Sequence, residues 1–381
     1  MPESPPRIYP AEGGLLGAEL RQTPEDFQVT ELLPFTASGS GAHHWLVVEK
    51  CGLNTQDVAN RLARCAGVAV RDVGFAGLKD RHAITRQSFT VPAMPGPDPD
   101  WASLEDDSLH FQQISRHDRK LRRGVLRGNY FRLVLRATTG ARSLWDARLQ
   151  SLMKEGFPNY FGAQRFGHRN LQEAARLLSG QPMRIDRHRR GLLWSAARSA
   201  LFNLVLAERV RQANWAQILP GEIVQLVGSH SIFLAADDDL SDLQARATDW
   251  DLHPTGPLPG RGGLAPTAAA IALENSALSA GPIIAGAGDG LRWAQRLAEQ
   301  GLDAARRPLR ARPETLTSDW QDAQTLVLSF FLPAGVFATS CVEGPEVSPF
   351  FSAEYKGLVN KTAIIYCVYA AIESAYGCAF W

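Results

Sequence analysis

A chain of 381 residues is longer than one domain usually needs, and 45% hydrophobic with 21% charged residues is an ordinary globular balance with apolar material for a sizeable core. The five cysteines (Cys51, Cys65, Cys341, Cys367 and Cys378) are odd in number and lack CxxC spacing, which argues against a disulfide framework or a zinc site and makes a reducing cytoplasm the expectation. The formal charge is only +1, but residues 116–136 carry eight Lys or Arg against Asp118, so a window of +7 sits on a remainder of −6, as expected of a polyanion-binding face.

The N-terminus, MPESPPRIYP, has neither a basic nor an apolar leader region, so no signal peptide is expected. Residues 44–49 (HWLVVE) read as a strand. A helix follows, with Asn54 or Thr55 as N-cap, Val58, Leu62 and Cys65 on one face, and Gly67 at its end. VGFAG (73–77) is a short apolar run and QSFTV (87–91) a second strand candidate. Between them lies LKDRHAIT, a polar loop joining two buried elements, where a fold can hold reactive side chains rigidly yet exposed.

Residues 93–103 are Pro-rich and read as a surface loop. In YFRLVLR (130–136), Phe131, Leu133 and Leu135 share one strand face and Arg132 and Arg136 the other. That arginine face fits an RNA-facing sheet and a solvated edge strand equally well. From about residue 156 the texture changes. Residues 170–211 and 286–306 have helical patterns, 255–268 (four Gly, three Pro) read as a loop or linker, and TLVLSFFL (325–332) as a central strand. No internal repeat is visible.

A Lys-Asp pair in a loop is ordinarily a turn or a surface ion pair. In GLKDRHAITRQ (77–87), however, it follows a Gly, is flanked by strands, and precedes Ala83, Thr85 and Gln87. The segment resembles the signature of the TruD pseudouridine synthases, G-x-K-D-x-x-A-x-T-x-Q, at every fixed position. Seven further blocks are similar to the same family, in its order: PEDFQVTE (24–31), HDRKL (117–121), GNYFRLVLR (128–136), PNYFGAQRFG (158–167), SAARSALFN (195–203), LPG with a polar strand (219–226) and LPAGVFATS (332–340). The resemblance spans about residues 10–341.

It implies an α+β fold. A catalytic domain on a mixed, mostly antiparallel sheet would comprise residues 1–155 and 312–345. A second α+β domain, 156–311, would be inserted, with a cleft between the two for tRNA. It also implies isomerisation of a tRNA uridine to pseudouridine, at position thirteen of the D arm, without a cofactor. Breaking N1–C1′ and rejoining through C5 moves no net electrons, and the sequence has no dinucleotide fingerprint, P-loop or metal-ligand cluster.

The resemblance makes Asp80 the catalytic nucleophile or base, with a nearby cation keeping it ionised. Arg21 aligns with a basic residue used near the aspartate, and Lys79 is its sequence neighbour. Substrate contacts fall on Phe27, Asn129 and Phe337, and Phe131 stands where related synthases carry an aromatic against the flipped base. For each Phe, the residues alone would suggest an ordinary core position. Arg119, Lys120, Arg122 and Arg123 are candidates for the RNA backbone. The alternatives are a tRNA-binding protein without catalysis and a methyl transferase, the latter lacking a cofactor site.

His43 and His44 are adjacent, a poor geometry for metal, and flank a strand; His82 lies outside the fixed motif positions, and His168 departs from the family's usual residue. MRIDRHRRG (183–191) reads as a solvated helix end. After Ser340 the chain leaves the family pattern: Gly344 and Pro345 would break a closing helix. Residues 362–381 are apolar, but Glu373 and the absence of a basic flank argue against an anchor. We read residues 346–381 as an atypical tail, produced by a frameshift in preference to a genuine variant. No coiled-coil heptads are visible, so a monomer is expected.

Overall fold

The computed structural model describes residues 16–342, apart from 163, 164, 168, 230, 281, 282 and 284–287. The tail and His168 lie outside the described residues.

The first part of the chain runs β1 (Gly17–Leu20), β2 (Phe27–Leu32), β3 (His43–Lys50), α1 (Thr55–Ala66), β4 (Gly74–Phe75), β5 (Ile84–Pro92), β6 (Leu109–His117), β7 (Gly128–Thr139) and α2 (Arg142–Lys154). Next come β8 (Phe157–Pro158), α3 (Asn170–Leu178), α4 (Arg187–Arg211), β9 (Ile223–Leu226), β10 (Ile232–Leu234), α5 (Leu240–Thr248), β11 (Leu252–Leu258), α6 (Ala268–Ser279), α7 (Gly290–Glu299), β12 (Ala305–Pro308) and β13 (Arg310–Ala311). β14 (Glu314–Trp320), β15 (Leu326–Pro333) and α8 (Ala338–Val342) complete it.

Among the described residues, nine strands form one sheet in the order β14-β15-β7-β2-β5-β3-β6, with β1 on β7 and β4 on β5. Every pairing in it is antiparallel except β2 with β5, so the sheet is mixed and mostly antiparallel, as expected. Alternation along the strands puts Phe27, Val29, Phe131, Leu133, Leu328 and Phe330 on one face. There they bury against Trp145, Leu149 and Leu152 of α2. Leu46, Val48 and Phe89 meet Val58, Ala59 and Leu62 of α1. α1 begins with the Asn54–Asp57 capping box and ends on Gly67 at φ 64°. Gly128 is a packing requirement, since a Cβ there would lie 2.3 Å from the Leu332 carbonyl oxygen and from the Phe331 ring.

The chain leaves this sheet after α2 and returns at β14, and β8 and β13 pair with each other where it leaves and returns. Between them α4, a helix of 25 residues, carries a core with Tyr160, Phe161, Phe202, Trp293 and Leu297, beside a sheet of order β10-β9-β11-β12. Two sequence expectations change here. Residues 255–258 are strand rather than loop. β11 accommodates Pro254 and Pro257 because it pairs with β9 over 252–254 and with β12 over 255–258, and needs a full ladder on neither side. The helical pattern of 286–306 holds over α7 but gives way to β12 at Ala305. The 183–191 cluster includes the start of α4, where Asp186 caps the helix through the Arg189 N–H and Arg189 pairs with Glu173 at 2.8 Å.

Candidate active site

The signature loop lies between β4 and β5, where β5 runs parallel to β2. Ala83, Thr85 and Gln87 point to the covered sheet face and are 0%, 0% and 1% exposed, which explains their two-residue spacing. Gln87 Nε2 donates to the Gly77 carbonyl at 2.5 Å, and its Oε1 accepts from Thr55 Oγ1 at 3.0 Å. Thr55 Oγ1 in turn accepts from the Lys79 N–H at 2.9 Å. The loop is thus tied to the first turn of α1 by a buried side-chain relay. Nothing in the structure demands glycine at 77: a Cβ there would meet only Lys79 Nζ, at 4.0 Å.

Asp80 is half-buried at the end of this scaffold. Arg21 Nη2 donates to its Oδ2 at 2.9 Å, and the Arg21 guanidinium also lies 3.8 Å from the centroid of the Phe27 ring. Arg21 has φ 65°, a conformation few non-glycine residues adopt, so its backbone is held in a strained region while its side chain bridges ring and carboxylate. The PEDF block builds that bridge. Pro24 opens a short 3-10 turn, and Asp26, fully buried, accepts from the Thr23 N–H and from Arg136 (2.8 Å), fixing the start of β2 at Phe27.

The Lys79 side chain is engaged by Glu31 of β2. Its Nζ donates to Glu31 Oε1 at 3.0 Å, and Glu31 Oε2 accepts the Ser88 N–H at 3.1 Å. A different lysine reaches the Asp80 backbone: Lys50, 1% exposed, donates to the carbonyls of Asp80 (2.8 Å) and Leu53 (2.7 Å). Burial pushes its ammonium down to about 8, while the Asp80 charge pulls it back up.

Asn129 stands opposite Glu31 and Leu332, on the sheet face of Phe27 and Phe131. Among the described residues its Oδ1 is buried without a hydrogen-bond partner, as is Thr85 Oγ1 on the same face. Phe131 lies between Phe27, edge-on at 6.1 Å, and Phe330, stacked at 5.5 Å. Phe27 is 3% exposed and carries the Arg21 guanidinium on its ring. Phe337 is placed apart from this group: its half-buried ring meets Phe161 edge-on at 6.1 Å, against the core built around α4.

The basic loop is docked beside the signature loop. The Gly124 N–H donates to the Ala76 carbonyl at 2.8 Å and the Leu121 N–H to Thr90 Oγ1 at 2.9 Å. Lys120, Arg122 and Arg123 border a cleft of about 680 Å³ with Gln56, Arg71 and Phe75. Arg123 lies 3.6 Å over the Phe75 ring and Lys120 donates to the Arg71 carbonyl. Arg119 sits 5.9 Å from the Phe35 ring. Two members of the block are neutralised, Arg116 by Asp98 and Arg136 by Asp26. The face of β7 bearing Arg132 is turned away from Asn129 and Phe131, toward Gln28, Thr30 and Ser329.

Lys50, Glu31 and Thr55 were not assigned site roles from the sequence. Lys50 had a signal, since it continues the inward alternation of Leu46 and Val48 with a charge. Among the described residues no group of three or more His, Cys, Asp or Glu could hold a metal, and no helix is long and apolar enough to cross a membrane.

The sequence profile of TruD, tRNA pseudouridine synthase D, matches residues 7–182 and 171–343. The chain is 43% identical over 323 residues to tRNA pseudouridine synthase D of Methylococcus capsulatus, covering 84% of this chain and 88% of the relative. It is 45% identical over 356 residues to that of Xanthomonas campestris pv. campestris, covering 89% and 94%. A crystal structure from Methanosarcina mazei, described as tRNA pseudouridine synthase D, superposes with a TM-score of 0.68 at 18% identity, over 88% of this chain and 94% of that one. With the signature loop, the PEDF turn and the profile match in agreement, the chain belongs to the TruD family.

Proposed function

We propose that this protein isomerises a uridine of tRNA to pseudouridine, at position thirteen of the D arm, with Asp80 as the catalytic carboxylate. The observation that carries the reading is the Asp80–Arg21 pair: a half-exposed carboxylate held by a guanidinium that is itself fixed on Phe27. The 2.9 Å contact with Arg21 fixes the orientation of the carboxylate that acts as nucleophile or base. In the reaction the uracil N1–C1′ bond breaks, the base turns, C5 bonds to C1′, and the C5 proton departs while N1 gains one. Asp80 acts at the sugar or the ring, and atoms and electrons balance without a second substrate.

The flipped uracil presents donors and acceptors on its edge, and the amide group of Asn129 is suited to one of them. Phe131 packs beside that position, and Phe337, set apart on the other core, is a further substrate contact. Lys120, Arg122 and Arg123 follow the phosphate backbone. The catalytic unit comprises residues 1–155 and 312–345, with 156–311 inserted, and the enzyme works as a cytoplasmic monomer.

The test is incubation of the full chain with tRNA carrying tritium at uridine C5 and no cofactor. Tritium release with pseudouridine at position thirteen is the expected result. Binding without release would favour a non-catalytic tRNA-binding protein.

A further inference from the structure

The block PNYFGAQRFG has no role in the chemistry above, yet it places two cations in an unusual setting. Arg165 Nη2 donates to Ser195 Oγ at 2.6 Å, and its Nε to Ser199 Oγ at 3.4 Å. Arg307 Nη2 donates to Asn159 Oδ1 at 2.6 Å and to the Gly335 carbonyl at 3.0 Å. Both guanidiniums lie over the Phe161 ring, with Cζ 5.6 and 4.2 Å from its centroid. Among the described residues neither meets a carboxylate, and neither Nη1 makes a hydrogen bond. Burial lowers the pKa of Arg165. Burial followed by the charge of Arg165 lowers that of Arg307 to about 9.

Other buried arginines nearby are satisfied differently. Arg209 pairs with Glu222 at 2.7 Å and Arg306 with Glu274. Arg310, 5% exposed, is enclosed among the carbonyls of Ala247 and Leu252 and His253 Nδ1. Arg165 and Arg307 alone of these combine a shared aromatic floor, mutual repulsion and some surface open to solvent. Two such charges are stabilised by an anion between them, and paired guanidinium forks match a phosphate.

The position suits a nucleic acid. Gly335 lies three residues beyond Leu332, which faces Asn129 across the sheet, so the pair adjoins the Asn129 end of the candidate site. Phe337, two residues further on, meets the same Phe161 ring. We propose that Arg165 and Arg307 together bind one phosphodiester of the RNA strand and so anchor the backbone next to the extruded nucleotide. This deepens, and rests on, the reading of the protein as a tRNA-modifying enzyme.

Affinity for a tRNA transcript, measured by titration at several salt concentrations, tests it with the full chain. Arg165→Gln and Arg307→Gln should each flatten the log–log salt slope by about 0.7–0.9. The double variant should flatten it no further, because both residues serve one phosphate. Arg165→Lys should keep the slope. Arg307 also holds the Gly335 carbonyl, so its variant may be read only if its melting temperature is native; Arg165, bonded to two serines, carries the test by itself.

Inorganic phosphate should raise the melting temperature of the wild type and not of Arg165→Gln. Unchanged RNA slopes overturn the proposal, and phosphate stabilisation alongside unchanged slopes would mean a site for a free anion only. Tritium release separates the two readings. A wild type that releases none, with variants that lose slope, refutes the isomerase and leaves the phosphate site standing. An active wild type whose variants keep the slope refutes the site alone.

Discussion

On the large sheet Arg21, Lys79 and Arg136 each meet a carboxylate, respectively Asp80, Glu31 and Asp26. Around Phe161, Arg165 and Arg307 meet, among the described residues, only hydroxyls, an amide and carbonyls. The difference separates two uses of a cation within the fold. Where the counter-charge belongs to the protein, the pair shapes a loop or readies a carboxylate. Where it is missing, desolvation is only partly offset, and the site is suited to a charge brought from outside.

The comparison breaks most decisively at Asp80, the one carboxylate in these pairs proposed to do chemistry. Asp80→Asn keeps the shape and loses the charge, so pseudouridine formation should fall by roughly 10³-fold or more while tRNA still binds. Near-normal turnover would remove the central assignment. Phe131→Ala should act through the scaffold instead. It opens a cavity between Phe27 and Phe330, costs about 3–5 kcal/mol of stability in chemical denaturation, and lowers activity with it.

Arg21→Gln should cost about 1.5–3 kcal/mol of transition-state stabilisation, a loss of roughly 10–150-fold in single-turnover rate, with little change in melting temperature. If melting falls and rate does not, the Arg21–Asp80 pair is structural, like Lys79–Glu31.

Lys50 offers a sharper test, because it is a buried cation on the large sheet that meets carbonyls. Its folded pKa, about 8, lies below the ordinary 10.5. Keeping it charged therefore costs stability below about pH 8, and that cost is relieved as pH rises towards 10.5. Activity should move the opposite way, falling several-fold between about pH 7 and 9 as the ammonium beneath Asp80 is lost. Lys50→Met should abolish that limb in a pH–rate profile, and a limb that survives belongs to another group.

The smallest effect is expected at the basic loop. Arg122→Ala with Arg123→Ala should flatten the salt slope by at most about 0.7–0.9 for each residue. Arg122 should contribute more, since Arg123 is partly engaged on Phe75. An unchanged slope would make the block a solvated surface.

How much was legible follows from what periodicity can carry. The Ala83-Thr85-Gln87 spacing and the Phe131-Leu133-Leu135 face are two-residue alternations, and the sequence displays them directly. The end of α1 at Gly67 was equally plain, while its N-cap was narrowed to Asn54 or Thr55, of which the structure uses Asn54. The meeting of Arg21 with Asp80 was not, because 59 residues separate them and no local rule links them; only resemblance to a family suggested it. Lys79 is adjacent to Asp80 in sequence, yet its ammonium meets Glu31, since neighbouring residues in an extended loop project in different directions. Strand 252–258 was hidden by its own prolines, which signal a turn unless the change of partner strand is known. Arg165 and Arg307 were invisible as a pair for the reason that applied to Arg21.

β15 has one further consequence. Leu328, Phe330 and Leu332 cover Leu133, Phe131 and Asn129, although about two hundred residues of chain separate the two strands. On the ribosome β7 emerges long before its partner, with one edge open and its aromatic face incompletely packed. Closing so long a loop is slow relative to local pairing. The nascent protein therefore completes the Asn129 wall among its last acts of folding, and a chain that stops short of residue 326 would expose an aggregation-prone edge where the finished protein has its candidate site.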